Sequence, residues 1–110
     1  MKKEYRIKNP LEFQKLIQQG EKSMNASFVI YTMPRALDHA RIGISVSKKA
    51  GDAVYRNYYK RQVRMMCQEL IDFSTYPNDV IIIIRFNYID KTYDINKKNL
   101  EKLLVKATIE

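Results

Sequence analysis

Between residues 48 and 64 the chain carries six cations, Lys48, Lys49, Arg56, Lys60, Arg61 and Arg64, against one acid, Asp52. This segment holds +5 of a net charge of +8, so the positive charge is concentrated rather than spread. On a helix, at about 100° per residue, Arg56, Lys60, Arg64, Asn57 and Arg61 share one arc of about 140°. Tyr55, Tyr59, Val63, Met66 and Leu70 fall on another arc, which reads as the packing stripe. Like charges at i, i+4 cost roughly 0.2–0.5 kcal/mol per pair. A solvated helix face is the plainer reading of a charge run, but such faces normally mix signs. A face of one sign in a basic protein points to a polyanion, and nucleic acid fits best. The guanidinium fork can bond two phosphate oxygens and stack on bases. Asn57 adds a donor and an acceptor that suit a base edge or a 2′-hydroxyl.

Phe13 and Tyr31 are candidates for a stacking platform for unpaired bases, although each taken alone reads more readily as ordinary core. The remaining reactive groups point away from catalysis. His39 lies in a polar stretch with no partner in view and reads as a surface histidine. Cys67 falls near the packing stripe and reads as a buried thiol. Tyr58 lies off both stripes and reads as exposed. No paired carboxylates, nucleophile elbow or glycine-rich phosphate loop is present. The chain reads as a binding protein that does not cut by itself.

These groups must be positioned by ordinary elements. Asn9-Pro10-Leu11-Glu12 reads as an N-cap, an N1 proline and a capping-box acid, opening a helix over about 10–19 that Gly20 closes in the left-handed conformation. Phe13, Leu16 and Ile17 form its apolar face. The β-branched and aromatic run 27–33 is a strand ended by Pro34. Residues 41–47 alternate, with Ile42, Ile44 and Val46 on one face, and the spacing predicts an antiparallel hairpin with the strand before it. The opposite face of that second strand, Arg41, Gly43, Ser45 and Ser47, is left open to a ligand. A long helix is expected over 53–71 and a strand over 80–86 that is apolar enough to be buried on both sides. A last helix, capped by Asp94, carries Leu100, Leu103, Leu104 and Ala107 at helical spacing. A further short strand is expected either before the long helix or near residues 21–26. The pattern is α+β, an α-β sandwich in outline.

The 110 residues suit one domain, and 45% hydrophobic residues suffice for one core. The longest apolar run, Val80 to Ile84, is far short of the ~18 residues of a membrane span. No apolar segment follows the charged Met1-Lys2-Lys3-Glu4, so no signal peptide is expected. One cysteine and one histidine exclude an internal disulfide and disfavour a metal cage. Free thiol and absent signal predict a cytoplasmic location.

The run Ile42-Gly43-Ile44-Ser45-Val46-Ser47-Lys48-Lys49-Ala50-Gly51-Asp52-Ala53-Val54-Tyr55-Arg56-Asn57-Tyr58-Tyr59-Lys60-Arg61-Gln62-Val63-Arg64 resembles the signature of the bacterial ribonuclease P protein subunit. Glu12-Phe13-Gln14-Lys15, Phe28-Val29-Ile30-Tyr31 and Ile82-Ile83-Ile84-Arg85 resemble other segments of that family, so the likeness covers nearly the whole chain. It implies an α-β sandwich with a four-stranded mixed sheet in the order αβββαβα. It also implies a left-handed βαβ crossover, as in a ribosomal-protein domain, and a single RNA-binding domain over residues 1–110.

The implied partners are a catalytic RNA subunit, which holds the Mg2+ ions, and precursor tRNA, whose 5′ leader the holoenzyme removes. No obligate protein partner, no membrane and no catalytic or metal-binding residue on the protein are implied. By position, Lys48, Lys49, Arg56, Asn57, Lys60, Arg61 and Arg64 would meet the RNA subunit. Phe13, Ile17, Tyr31 and Arg85 would line the leader cleft. Departures are Tyr58, where many members have arginine, Ile17, where an aromatic is frequent, Asp52, where asparagine is common, and a short N-terminal extension. An rRNA-binding ribosomal or assembly protein is the alternative. A DNA-binding module is a weaker one, because no recognition-helix pair or dimer heptad is evident.

Overall fold

The computed structural model describes residues 1–108. Helix α1 spans Pro10–Gln19, and Asn9 caps it by accepting from the Leu11 amide at 2.8 Å. Glu12, expected to close a capping box, is instead bonded to Arg41 at 2.8 Å. Gly20 is not left-handed as expected but extended, with φ −75°, because the chain runs straight into strand β1, Glu21–Met24. Glycine is still needed there, since a Cβ would lie 2.5 Å from the Leu16 carbonyl oxygen.

Strand β1 is the short strand anticipated near residues 21–26. It pairs antiparallel with β2, Phe28–Pro34, through a turn in which Asn25 Oδ1 accepts from the Ser27 and Phe28 amides. Strand β3, Ile42–Val46, leads through a 3-10 turn at Lys48–Ala50 into helix α2, Ala53–Leu70. Strand β4 covers Asn78–Ile84 and helix α3 covers Tyr93–Lys106. Thr92, not Asp94, caps α3, its hydroxyl accepting from the Ile95 amide at 3.2 Å. Asp94 sits inside the first turn, where a carboxylate favours the positive end of the helix dipole.

The sheet order is β1-β2-β4-β3. The expected hairpin between β2 and β3 is absent: β4 lies between them, antiparallel to β2 and parallel to β3. The reason is the composition of β4. Val80, Ile81, Ile82 and Ile84 are at most 1% exposed, and so complete an apolar strand is buried only in the middle of a sheet with both faces covered. Helix α2 therefore forms the crossover between two parallel strands, β3 and β4.

The two faces have different covers. Phe28, Ile30, Ile42, Val80, Ile82 and Ile84 face α2 and α3, meeting Val63, Met66, Cys67, Leu100, Leu103 and Leu104. Tyr55, placed on the packing stripe from sequence, is 57% exposed, in a first turn of α2 where Ala53 and Val54 are exposed as well. On the other face Leu16 of α1 packs on Ile81 and Ile7, with Phe13, Ile17, Tyr31, Met33 and Ile83 around them. Helix α1 is also clamped by charge. Arg41 donates to Glu12 of α1 at 2.8 Å and to the buried Asp79 of β4 at 3.2 Å.

Candidate nucleic-acid interface

Helix α2 is started by Asp52, whose carboxylate accepts from the Val54 and Tyr55 amides. The chain reaches it through Gly51, whose φ of +131° is a conformation that a side chain would strain. The one acid of the basic segment is thus spent on the backbone. Lys48 and Lys49 stand exposed on the 3-10 turn, while Ala50 beside them anchors it in the core. Asn57 and Arg61 are exposed; Arg56, Lys60 and Arg64 are half-buried.

Among the described residues the ion pairs are Lys2–Glu4, Arg41 with Glu12 and Asp79, Lys97–Glu69, and the His39–Asp38 contact. None involves a cation of the 48–64 segment. The Arg56 Nε is buried without a hydrogen-bond partner in the protein. Partial burial, with Arg6 and Arg61 nearby, holds the Arg64 guanidinium below its usual pKa. The rail is therefore charged, outward-facing and unneutralised by the chain itself.

The other face of the sheet brings three of the four cleft residues together. Phe13, Ile17 and Tyr31 are half-buried in one cluster around Leu16 and Ile81, with Ile83 and Met33. The Phe13 ring lies on Gly43, where a Cβ would come within 2.7 Å of it. Gly43 is accordingly buried, so the polar face of β3 is less open than its sequence suggested. Arg85 stands apart, past the end of β4, and donates to the Asn25 carbonyl at 2.6 Å. Part of its donor set is committed to holding the β1–β2 turn.

Several other expectations resolve here. Tyr58 is 51% exposed; its hydroxyl accepts from the Gln62 amide and its ring meets Tyr59 edge-on. His39 is not partnerless. Its Nδ1 lies 2.9 Å from Asp38 and its Nε2 lies 2.9 Å from the Glu4 carbonyl, and the Asp38 carboxylate first of all raises its pKa. Cys67 is fully buried, which pushes its thiol up to about 12.

Sequence reasoning overlooked Arg6 and Lys8. They border a cleft of about 150 Å³ with Phe13, Gly43, Ile44 and Arg64, where the rail meets the aromatic face. The signal was present in the basic residues before α1, but nothing local linked them to α2.

The family model described as Ribonuclease P matches residues 1–108. The chain belongs to the ribonuclease P protein family. It is 42% identical to the ribonuclease P protein component of Mesoplasma florum, covering 96% of this chain and 97% of that one. It is 44% identical to the corresponding protein of a Geobacillus species, covering 97% and 93%. The Staphylococcus aureus RNase P protein, solved at 2.0 Å, superposes with a TM-score of 0.83 at 37% identity, covering 96% of each chain. The Thermotoga maritima RNase P protein superposes at 0.80 and 26% identity, covering 96% of this chain and 97% of that one. Membership of this family makes the chain a protein component of ribonuclease P, the tRNA-processing endoribonuclease. No helix among the described residues is long and apolar enough to cross a membrane.

Proposed function

We propose that the protein binds the catalytic RNA of ribonuclease P through the cationic face of α2 and the 5′ leader of precursor tRNA through the α1–sheet cleft. The observation that carries this reading is the absence of any acidic partner for Lys48, Lys49, Arg56, Lys60, Arg61 and Arg64 among the described residues. Converging like charges stabilise a complex only where a polyanion supplies the counter-charge.

In this reading the chain neutralises phosphates where RNA subunit and leader crowd together, and so lowers the magnesium needed for assembly. Phe13, Ile17 and Tyr31 offer an apolar and aromatic bed for leader bases, and Arg85 a charge at its far end. The gain in cleavage is one of orientation, with the scissile phosphodiester held at the RNA's metal site. The protein's own donors do not suit Mg2+: among the described residues no group of three or more His, Cys, Asp or Glu side chains gathers. Magnesium, which would supply Lewis-acid stabilisation of the phosphoryl transfer, is assigned to the RNA. The protein works in the cytoplasm, without an obligate protein partner.

Reconstitution tests this. Mixed with the ribonuclease P RNA of the same organism, the protein is expected to restore precursor-tRNA cleavage at low Mg2+, and to be inactive alone. With about five cations on phosphates, RNA affinity should fall with salt on a log–log slope of roughly −3.5 to −4.5. Binding without any gain in cleavage would favour a ribosomal or assembly role, and a flat salt response would remove the electrostatic basis.

A further inference from the structure

We propose that the cleft between Arg6, Lys8 and Arg64 is a seat for one backbone phosphate, joining the α2 rail to the aromatic face of the sheet. This rests on the RNA-binding reading above and adds to it a site built partly by the N-terminal segment.

The placement of Arg6 is not left to a flexible tail. Its backbone forms a parallel bridge with Ile42 of β3, and the next residue, Ile7, donates to the Ile42 carbonyl at 2.8 Å and is buried. This adds a short extension along the free edge of β3 and fixes the base of the Arg6 side chain beside α2. Across the gap stands Arg64, itself half-buried. Lys8 follows Ile7 and remains exposed. Phe13, Gly43 and Ile44 supply the apolar floor of the cleft, and no acidic residue lines it.

Two features show a missing counter-charge. The Arg6 Nε is shielded from solvent and has no hydrogen-bond partner in the protein. Its Nη2 has only a long contact, 3.5 Å, to the Met1 carbonyl. The proximity of Arg6 also acts against the charge on Arg64. Two guanidinia held together in a partly apolar recess, one with an unused donor, form a poor arrangement for the free protein. A tetrahedral oxyanion corrects it, since each fork can take two phosphate oxygens. A carboxylate would also neutralise charge, but the nucleic-acid rail leads directly into the cleft through Arg64.

The phosphate could come from the RNA subunit or from the leader, and two measurements separate them. Arg6→Gln is compared with the unaltered protein for affinity to the RNA subunit across a salt series. Each reconstituted holoenzyme is then compared for affinity to precursor tRNA and to leaderless tRNA. If the phosphate belongs to the RNA subunit, the log–log salt slope should become shallower by about 0.7–0.9. If it belongs to the leader, RNA-subunit binding should be unchanged and the preference for precursor over leaderless tRNA should fall several-fold.

Lys102→Gln, on the outer face of α3, should alter neither quantity. Lys8→Gln changes an exposed side chain and carries the same test should Arg6→Gln lower thermal stability. Unchanged slope and unchanged leader preference in both Arg6→Gln and Lys8→Gln would overturn the phosphate seat. If the unaltered protein itself fails to activate the RNA, the broader functional reading falls instead.

Discussion

At the scale of single residues, exposure and pairing separate side chains that serve a partner from those that serve the fold. Arg61 is exposed and unpaired among the described ion pairs, so Arg61→Ala should change folding stability by less than ~0.5 kcal/mol while weakening RNA binding. Thermal denaturation beside filter binding reads both; a large stability loss at unchanged affinity would make Arg61 structural. Phe13 is harder to test by truncation, because its ring covers Gly43 and belongs to the cluster around Leu16. Phe13→Ala therefore removes apolar cover worth up to about 3 kcal/mol together with any stacking surface. Phe13→Leu keeps the cover and removes the ring. It should impair cleavage of leader-bearing precursor and leave leaderless tRNA binding intact, as measured by single-turnover kinetics and equilibrium binding. Tyr58 and Ile17, expected from the resemblance to depart from the family pattern, each have a defined place: Tyr58 exposed against Tyr59 and Gln62, Ile17 within the α1 cluster.

At the scale of elements, the clamp on α1 decides the shape of the cleft. Arg41 is held between Glu12 of α1 and Asp79 of β4, and Asp79 Oδ1 also accepts from the Arg41 amide at 3.0 Å. Asp79→Ala leaves a mostly buried guanidinium with only the more exposed Glu12, and should cost roughly 3 kcal/mol. Chemical denaturation measures this, and hydrogen exchange should report α1 as the element loosened first. A second tie is a polar knot at the β1–β2 turn. Ser27 donates to the buried Asn96 at 2.6 Å, Asn99 donates to Ser27 at 2.9 Å, and Asn25 donates to the Asn99 carbonyl at 2.8 Å. Asn96 and Asn99 lie on α3, Asn96 buried and Asn99 bonded to Ser27. Their role appears only when the turn is placed against that helix, for a buried amide is tolerated where its donors and acceptors are matched.

At the scale of the whole molecule, the core itself contains groups that make stability sensitive to alkali. Burial pushes Cys67 from 9.0 to about 12 and Tyr76 from 10.0 to about 12, and raises Tyr88 above its ordinary value as well. The folded state therefore keeps protons that the unfolded chain gives up. Stability from these groups is fully present below pH ~9 and should be lost as pH rises beyond that, which denaturant midpoints at neutral pH and above pH 10 would show. A midpoint independent of pH over that range would mean that these groups are not protected in solution. The amino-acid order alone determined the three helices, the three longer strands and the cationic rail, because each follows from a local period of apolar and charged side chains. It also pointed to the cysteine's burial, from its place beside the apolar stripe of α2. What only the tertiary structure decided is pairing. Strand β4 enters between β2 and β3 because its continuous apolar run needs neighbours on both edges and cover on both faces, a demand no local window expresses. The same packing sets Arg41 between two acids, Phe13 on Gly43 and Arg6 against Arg64. Those contacts join segments far apart along the chain, and the free energy that selects them comes from burying the sheet as a unit.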